Sequence, residues 1–214
     1  MLCSPNNPAG LVHDPSEPRA PVTWAAGHGI WIVSDETCVD LGFRPVTAPG
    51  RVEPAMADRL VTIGGVSKSF AMTGWRAGRM SGPEHVIEAA TAVQSHTTSN
   101  VGRIAQAAAL TGPDVSAGFR ATLRDRLRLC ACVLEPLGLY QTPPDGAFYV
   151  LPGARRFHPD DIAVADRLLS AGVVTVPGTS FGAPGHLRLS LAVEEAQLRK
   201  GLRLTADVLN DWAG

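Results

Sequence analysis

Lysine is almost absent from this chain. Seventeen of its nineteen basic residues are arginine, and lysine stands only at Lys68 and Lys200. Charge of one sign is also missing: the net charge of −1 gives no electrostatic case for a nucleic-acid or anionic-membrane partner. No apolar run approaches the ~20 residues of a membrane span. The opening MLCSPNNPAG has no basic-then-apolar signal pattern. The four cysteines, Cys3, Cys38, Cys130 and Cys132, form no C-x-x-C pair and no metal-like spacing with the six histidines. They read as reduced thiols of a cytoplasmic protein. Low-complexity linkers and internal repeats are lacking as well.

What is present is a globular composition, 45% hydrophobic and 18% charged, on 214 residues, enough to bury a core. Gly29–Val33 and Leu60–Ile63 are apolar runs without polar alternation, which predicts strands buried on both faces of a parallel sheet. Helical spacing predicts helices around Val22–Ala26, over Glu84–Val93 and Val101–Leu110, and from about Val115 to Leu137. Further on, Gly146–Leu151, Val173–Val176 and the alternating His186–Ala192 read as strands, and Asp161–Ala171 and Glu194–Leu209 as helices. The expected fold is α/β to about residue 115, followed by a smaller α+β region over 116–214 entered by the long helix.

In open α/β sheets, ligands gather at the carboxyl ends of the strands. Asp35 and Lys68 follow the two predicted strands, and Asn7 lies in the turn Pro5–Gly10. Singly, Asp35 would serve as a helix N-cap, Asn7 as a turn residue, and Arg76 and Arg188 as solvated cations. Lys68 is harder to dismiss in a chain that otherwise uses arginine. A guanidinium stays protonated, whereas an amine can become a nucleophile. GGVSKS is not a nucleotide phosphate loop, because serine and not glycine precedes the lysine.

Seven segments in order, SPNNPAG (4–10), SDE (34–36), GGVSKSFAMTGWRAG (64–78), QSHTTSN (94–100), DGAFYVLP (145–152), VPGTSFG (176–182) and HLRLSLA (186–192), carry a resemblance. The chain resembles the pyridoxal-phosphate-dependent aminotransferases of fold type I, class I/II, in the aspartate aminotransferase superfamily. Within it, the likeness is to the branch holding many prokaryotic aspartate aminotransferases. The resemblance implies part of the large domain of that fold, a mostly parallel sheet with flanking helices, over 1–115, and the small domain over 116–214. It implies pyridoxal 5'-phosphate as cofactor. Lys68 would form a Schiff base with the cofactor and shuttle a proton, Asp35 would pair with the pyridine nitrogen, and Asn7 would donate to the ring hydroxyl oxygen. Arg76, and with it Ser67, would hold the phosphate. Arg188 would grip the substrate α-carboxylate, near Asn7.

Two departures stand out. Where the family usually has tyrosine, three residues after the aspartate, this chain has Cys38, a weaker and shorter donor beside the cofactor ring. Family members also carry close to as many residues again before SPNNPAG, including the glycine-containing helix start that binds the phosphate. The expected partners are therefore an amino acid, a 2-oxo acid, and either a second copy in a homodimer or a chain supplying that N-terminal half. The expected reaction is ping-pong exchange of an amino group. The alternatives are a pyridoxal-dependent lyase on the same fold and a truncated, non-catalytic binding or regulatory subunit.

Overall fold

Three short parallel strands form the frame of the first half of the chain: β1 (Leu2–Cys3), β2 (Ile32–Asp35) and β3 (Leu60–Gly65). A fourth, β4 (Gly78–Ser81), runs antiparallel at the edge, giving the order β1-β2-β3-β4. The register sets Cys3 opposite Asp35 and Asp35 opposite Ile63. The computed structural model describes residues 1–14, 19–48, 54–140 and 142–213. It divides into two compact units, Met1–Asn6 with Leu11–Arg120, and Asn7–Gly10 with Ala121–Gly214. The unit division falls at 120/121, a few residues after the expected 115/116 boundary, and assigns the turn Asn7–Gly10 to the second unit.

In the first unit, helix α1 (Arg19–Gly27) carries proline only in its first turn, where the missing N–H costs nothing. Its Val22 and Ala25, one turn apart, pack with Ile32 and Met56 on one face of the sheet. Gly29, at φ +67°, closes the helix, and the Ile30 N–H bonds back to Ala25. Those donors are spent on the helix end, so the strand starts at Ile32 and not at Gly29. The other face is not covered as the apolar runs predict: Ile63 is 39% and Trp31 44% exposed. β4 is fully exposed, and its GRMS sequence has no apolar alternation by which to expect a strand. It forms because its backbone extends the pairing of β3, Gly64 with Arg79 and Gly65 with Gly78.

α2 (Val66–Ser69) is a single turn, and α3 (Glu84–Thr97) buries no residue. The two helices expected over Val101–Leu110 and Val115–Leu137 are one, α4 (Arg103–Leu134), continuous through Gly112 and Pro113. A Cβ on Gly112 would lie 2.1 Å from the Phe70 ring, so the helix there is seated on a tertiary contact. That contact has no signature in periodicity. At its end, Pro136 disfavours helical geometry for the residue before it and stops the helix short of Leu137.

In the second unit the sheet order is β5-β7-β6, all antiparallel, with β5 at Tyr149–Val150, β6 at Val176–Pro177 and β7 at Leu187–Ser190. Leu187 and Leu189 are buried, while Arg188 and Ser190 point the other way, as the alternation predicts. The other two strands are shorter than expected for local reasons. Ala147 is left-handed at φ +60°, which breaks the extended run before Tyr149. The Val173 N–H bonds back to Leu168 past Gly172 at φ +86°, a helix closure that delays β6. Helices α5 (Asp161–Ser170) and α6 (Glu195–Ala213) supply Val164, Leu168, Leu198 and Leu202 to the core. No helix among the described residues is long and apolar enough to cross a membrane.

Gly10 and Gly201 allow an opposed pair of measurements within this unit. Gly10 has φ +68°, and a Cβ there would lie 2.6 Å from the Gly146 carbonyl oxygen. Gly10→Ala should therefore lose on the order of 1–3 kcal/mol through left-handed strain and a backbone clash. Gly201, inside α6, has open space around it. Gly201→Ala should gain roughly 0.5–1 kcal/mol. Urea unfolding midpoints should move in opposite directions for the two variants.

Candidate active site

β2 and β3 end side by side, and each hands its last residues to a turn that carries a charged group. At the end of β2, Asp35 Oδ1 accepts from the Thr37 backbone N–H at 3.0 Å and from the Thr37 hydroxyl at 2.7 Å. This local turn orients the carboxylate and occupies one oxygen. Oδ2 carries no hydrogen bond among the described residues. At the end of β3, Gly65 is fully extended and the chain closes into α2, with Lys68 exposed on it. Ser69, 1% exposed, donates its hydroxyl to the Thr37 carbonyl at 3.1 Å. The turn holding Asp35 and the turn holding Lys68 are thus tied together by one buried hydrogen bond. Neither Thr37 nor Ser69 stands out in the sequence: Thr37 follows the SDE motif, and Ser69 lies inside GGVSKSFAMTGWRAG.

Cys38 is half-buried next to this junction. Burial pushes its thiol up to about 11, with Cys3 and Asp35 adding to the rise and Thr37 and the Lys68 ammonium opposing it. The group is a neutral thiol at neutral pH. Ser67 is half-buried, with no hydrogen bond from its hydroxyl among the described residues. Beyond α2 the backbone takes the left-handed conformation at two residues that are not glycine, Ala71 at φ +54° and Arg76 at φ +52°. Such conformations are held only where surrounding structure imposes them. Arg76 is exposed, and its Nη1 donates to the Thr73 carbonyl at 3.3 Å. The rest of its guanidinium has no partner among the described residues.

Asn7 and Arg188 belong to the second unit. Arg188, on the polar face of β7, donates from Nη1 to Asn7 Oδ1 at 3.0 Å. Its Cζ lies 4.5 Å from the Tyr149 ring centroid and 4.6 Å from that of Phe181. The guanidinium is thus held between two aromatic rings and one amide oxygen, all neutral. Of the residues marked in the sequence, Asp35, Cys38, Ser67, Lys68 and Arg76 stand in the first unit, Asn7 and Arg188 in the second. Tyr149 and Phe181 are not marked by sequence reasoning, although they lie in DGAFYVLP and VPGTSFG.

The family profile described as aminotransferase class I and II matches residues 1–203. An aspartate/prephenate aminotransferase of Thermus thermophilus is 43% identical over 98% of this chain, which covers 56% of that protein. An aspartate aminotransferase of Rhizobium meliloti is 36% identical over 94% of this chain and 54% of its own length. Among solved structures, the Thermus thermophilus aspartate aminotransferase with maleate has TM-score 0.88 at 42% identity, over 97% of this chain and 56% of that one. The Thermotoga maritima aspartate aminotransferase has TM-score 0.89 at 36% identity, over 97% of this chain and 55% of that one. The chain spans about half the length of the curated relatives it matches.

The environment of Cys38 has a measurable consequence. At about pH 8, a thiol titrating near 11 exposes only on the order of 0.1% thiolate. Iodoacetamide should therefore label native Cys38 far more slowly than the urea-unfolded chain, and the native rate should keep rising to about pH 11. Peptide mapping that found a native rate levelling off below about pH 9 would contradict this placement.

Proposed function

Because the chain belongs to the class I and II aminotransferase family, we propose that it carries amino-group transfer between an amino acid and a 2-oxo acid, using pyridoxal 5'-phosphate. The observation that supports this most is that Lys68 stands on the turn after β3 while the end of the adjacent parallel strand carries an Asp35 carboxylate oriented by Thr37. The donor set fits the cofactor. Asp35 Oδ2 is an open acceptor for a protonated ring nitrogen. Arg76 offers guanidinium donors for a phosphate, with Ser67 beside Lys68 as a further hydroxyl. The role of Asn7 toward the ring oxygen rests on the family resemblance; within its own unit its Oδ1 accepts from Arg188, which leaves its amide nitrogen as a donor. In the first unit the thiol of Cys38 would be a weak, neutral donor.

When bound, the cofactor supplies an aldehyde that accepts the amino group and a ring that takes up electrons released at the substrate α-carbon. The chain's own residues do the remainder. Lys68 holds the cofactor, then takes the proton from the α-carbon and returns it at the other end of the transfer. Arg188 binds the α-carboxylate with its paired N–H groups and orients the C–H bond that must break. The same groups serve both half-reactions of a ping-pong cycle. Aspartate, in the names of the relatives, is the first amino donor to assay.

Further polypeptide is part of this reading. Around β4 and α3 nothing is buried, and Ile104 and Leu110 on α4 are 79% and 83% exposed. Such an unpaired edge with apolar neighbours suits either a second copy or a chain carrying the segments that the longer relatives have in addition. Lys68 gives the decisive test. Borohydride reduction of any preparation that holds pyridoxal phosphate, followed by peptide mapping, should place the adduct on Lys68. Lys68→Arg should abolish it, because the guanidinium stays protonated. An adduct on Lys200 or the N-terminal amine alone would overturn the assignment.

A further inference from the structure

Arg188 is flanked by two rings of different origin. Tyr149 lies on β5, directly paired with β7, so the sheet itself places it. Phe181 lies on the connection between β6 and β7, in the one-turn segment Gly178–Phe181. A ring on a loop holds a guanidinium only if the loop is itself fixed.

The fixing group is Asp161. Its side chain, 2% exposed, lies at the start of α5, where Asp160 already caps the helix by accepting from the Ile162 N–H at 2.9 Å. Asp161 is therefore not needed as the cap. Instead, Oδ1 accepts from the Thr179 hydroxyl at 2.6 Å, and Oδ2 from the Thr179 backbone N–H at 2.7 Å. At the base of the loop the Gly178 N–H donates to the His186 carbonyl at 2.7 Å. The buried anion holds the loop where it leaves β6, and the Gly178–His186 bond closes it around Phe181. Within it, the Gly182 N–H bonds to Thr179 and the Ala183 N–H to Gly178, and a Cβ on Gly178 would lie 2.2 Å from the Ala183 oxygen. The loop has no slack once its ends are held. Burial raises the Asp161 titration, but the hydrogen bonds from Thr179, Gly185 and its own backbone outweigh it and leave the group below its ordinary value. The carboxylate is charged throughout the neutral range.

We propose that Asp161 is a positioning residue for carboxylate binding: by clasping the loop at Thr179 it sets the Phe181 ring that, with Tyr149, holds Arg188 in a fixed plane. The proposal rests on the reading of Arg188 as the carboxylate-binding group. A guanidinium gains bidentate geometry only when its plane is set beforehand; otherwise the freedom of a long side chain is lost on binding.

The test uses the 214-residue chain labelled with ¹⁵N-arginine. The Arg188 Nε–H resonance is identified by its loss in Arg188→Lys, and maleate, the dicarboxylate in one related structure, is the probe. Phe181→Leu defines the position of the resonance without that ring's current. Asp161→Ala should move the resonance toward the Phe181→Leu position and weaken maleate by about tenfold. Asp161→Asn, which can still pair with Thr179, should do much less. If Asp161→Ala fails to fold, Thr179→Val, which removes only a hydroxyl at an exposed residue, should give the same displacement in smaller degree, and Thr179→Ser none. A purely structural carboxylate would lower the unfolding midpoint and leave the Arg188 resonance in place, and that result overturns the proposal. Maleate binding that is lost in Arg188→Lys but unchanged in Asp161→Ala or Thr179→Val overturns it alone. If the unmodified chain alone binds no maleate, the Arg188 resonance decides: displacement in Asp161→Ala upholds the positioning role, and none overturns it.

Discussion

The parallel pairing of Ile32–Asp35 with Leu60–Ile63 is the constraint from which the first unit's chemistry follows. Parallel strands end on the same side, so the turns that leave them meet. One turn orients a carboxylate, the other presents an amine, and the buried hydroxyl of Ser69 on the Thr37 carbonyl sets the spacing between them. The Glu36 N–H on the Ile63 carbonyl extends the ladder by one residue past Asp35, so that the backbone carrying this carboxylate does not fray.

The two units solve one electrostatic problem in the same way. Asp35 is oriented by a hydroxyl and an amide, and Arg188 by an amide oxygen and two rings. Neither is paired with an opposite charge among the described residues. An ion pair would have oriented each as well, but would have neutralised its charge. Asp161, buried and with both oxygens bonded to Thr179, is the contrasting case of a carboxylate with neither oxygen left open.

Elements with a strong local period are legible in the chain. Alternation in HLRLSLA places Arg188 opposite Leu187 and Leu189, and helical spacing places α3, α5 and α6 to within a few residues. Strand starts are less legible, because Gly29 and Gly172 close helices with donors that the pattern would assign to strands. β4 is not legible at all: it has no apolar period of its own and exists by pairing with β3. The continuity of α4 across Gly112 and Pro113 is hidden for a similar reason, since the Phe70 ring that it packs on lies far away in sequence.

By itself, the sequence is enough to single out Lys68 and Arg188 as candidates. Two lysines among nineteen basic residues, one of them after an apolar strand, and an arginine on the polar face of an alternating one, follow from residue type and local period. Tertiary structure alone decided what orients them. Ser69 reaches Thr37 across 32 residues, Thr179 reaches Asp161 across 18, and Arg188 reaches Asn7 across 181. Serine, threonine, aspartate and asparagine each have ordinary uses in caps and turns. A partner that distant leaves no trace in local spacing, so only the folded chain shows which polar group holds which.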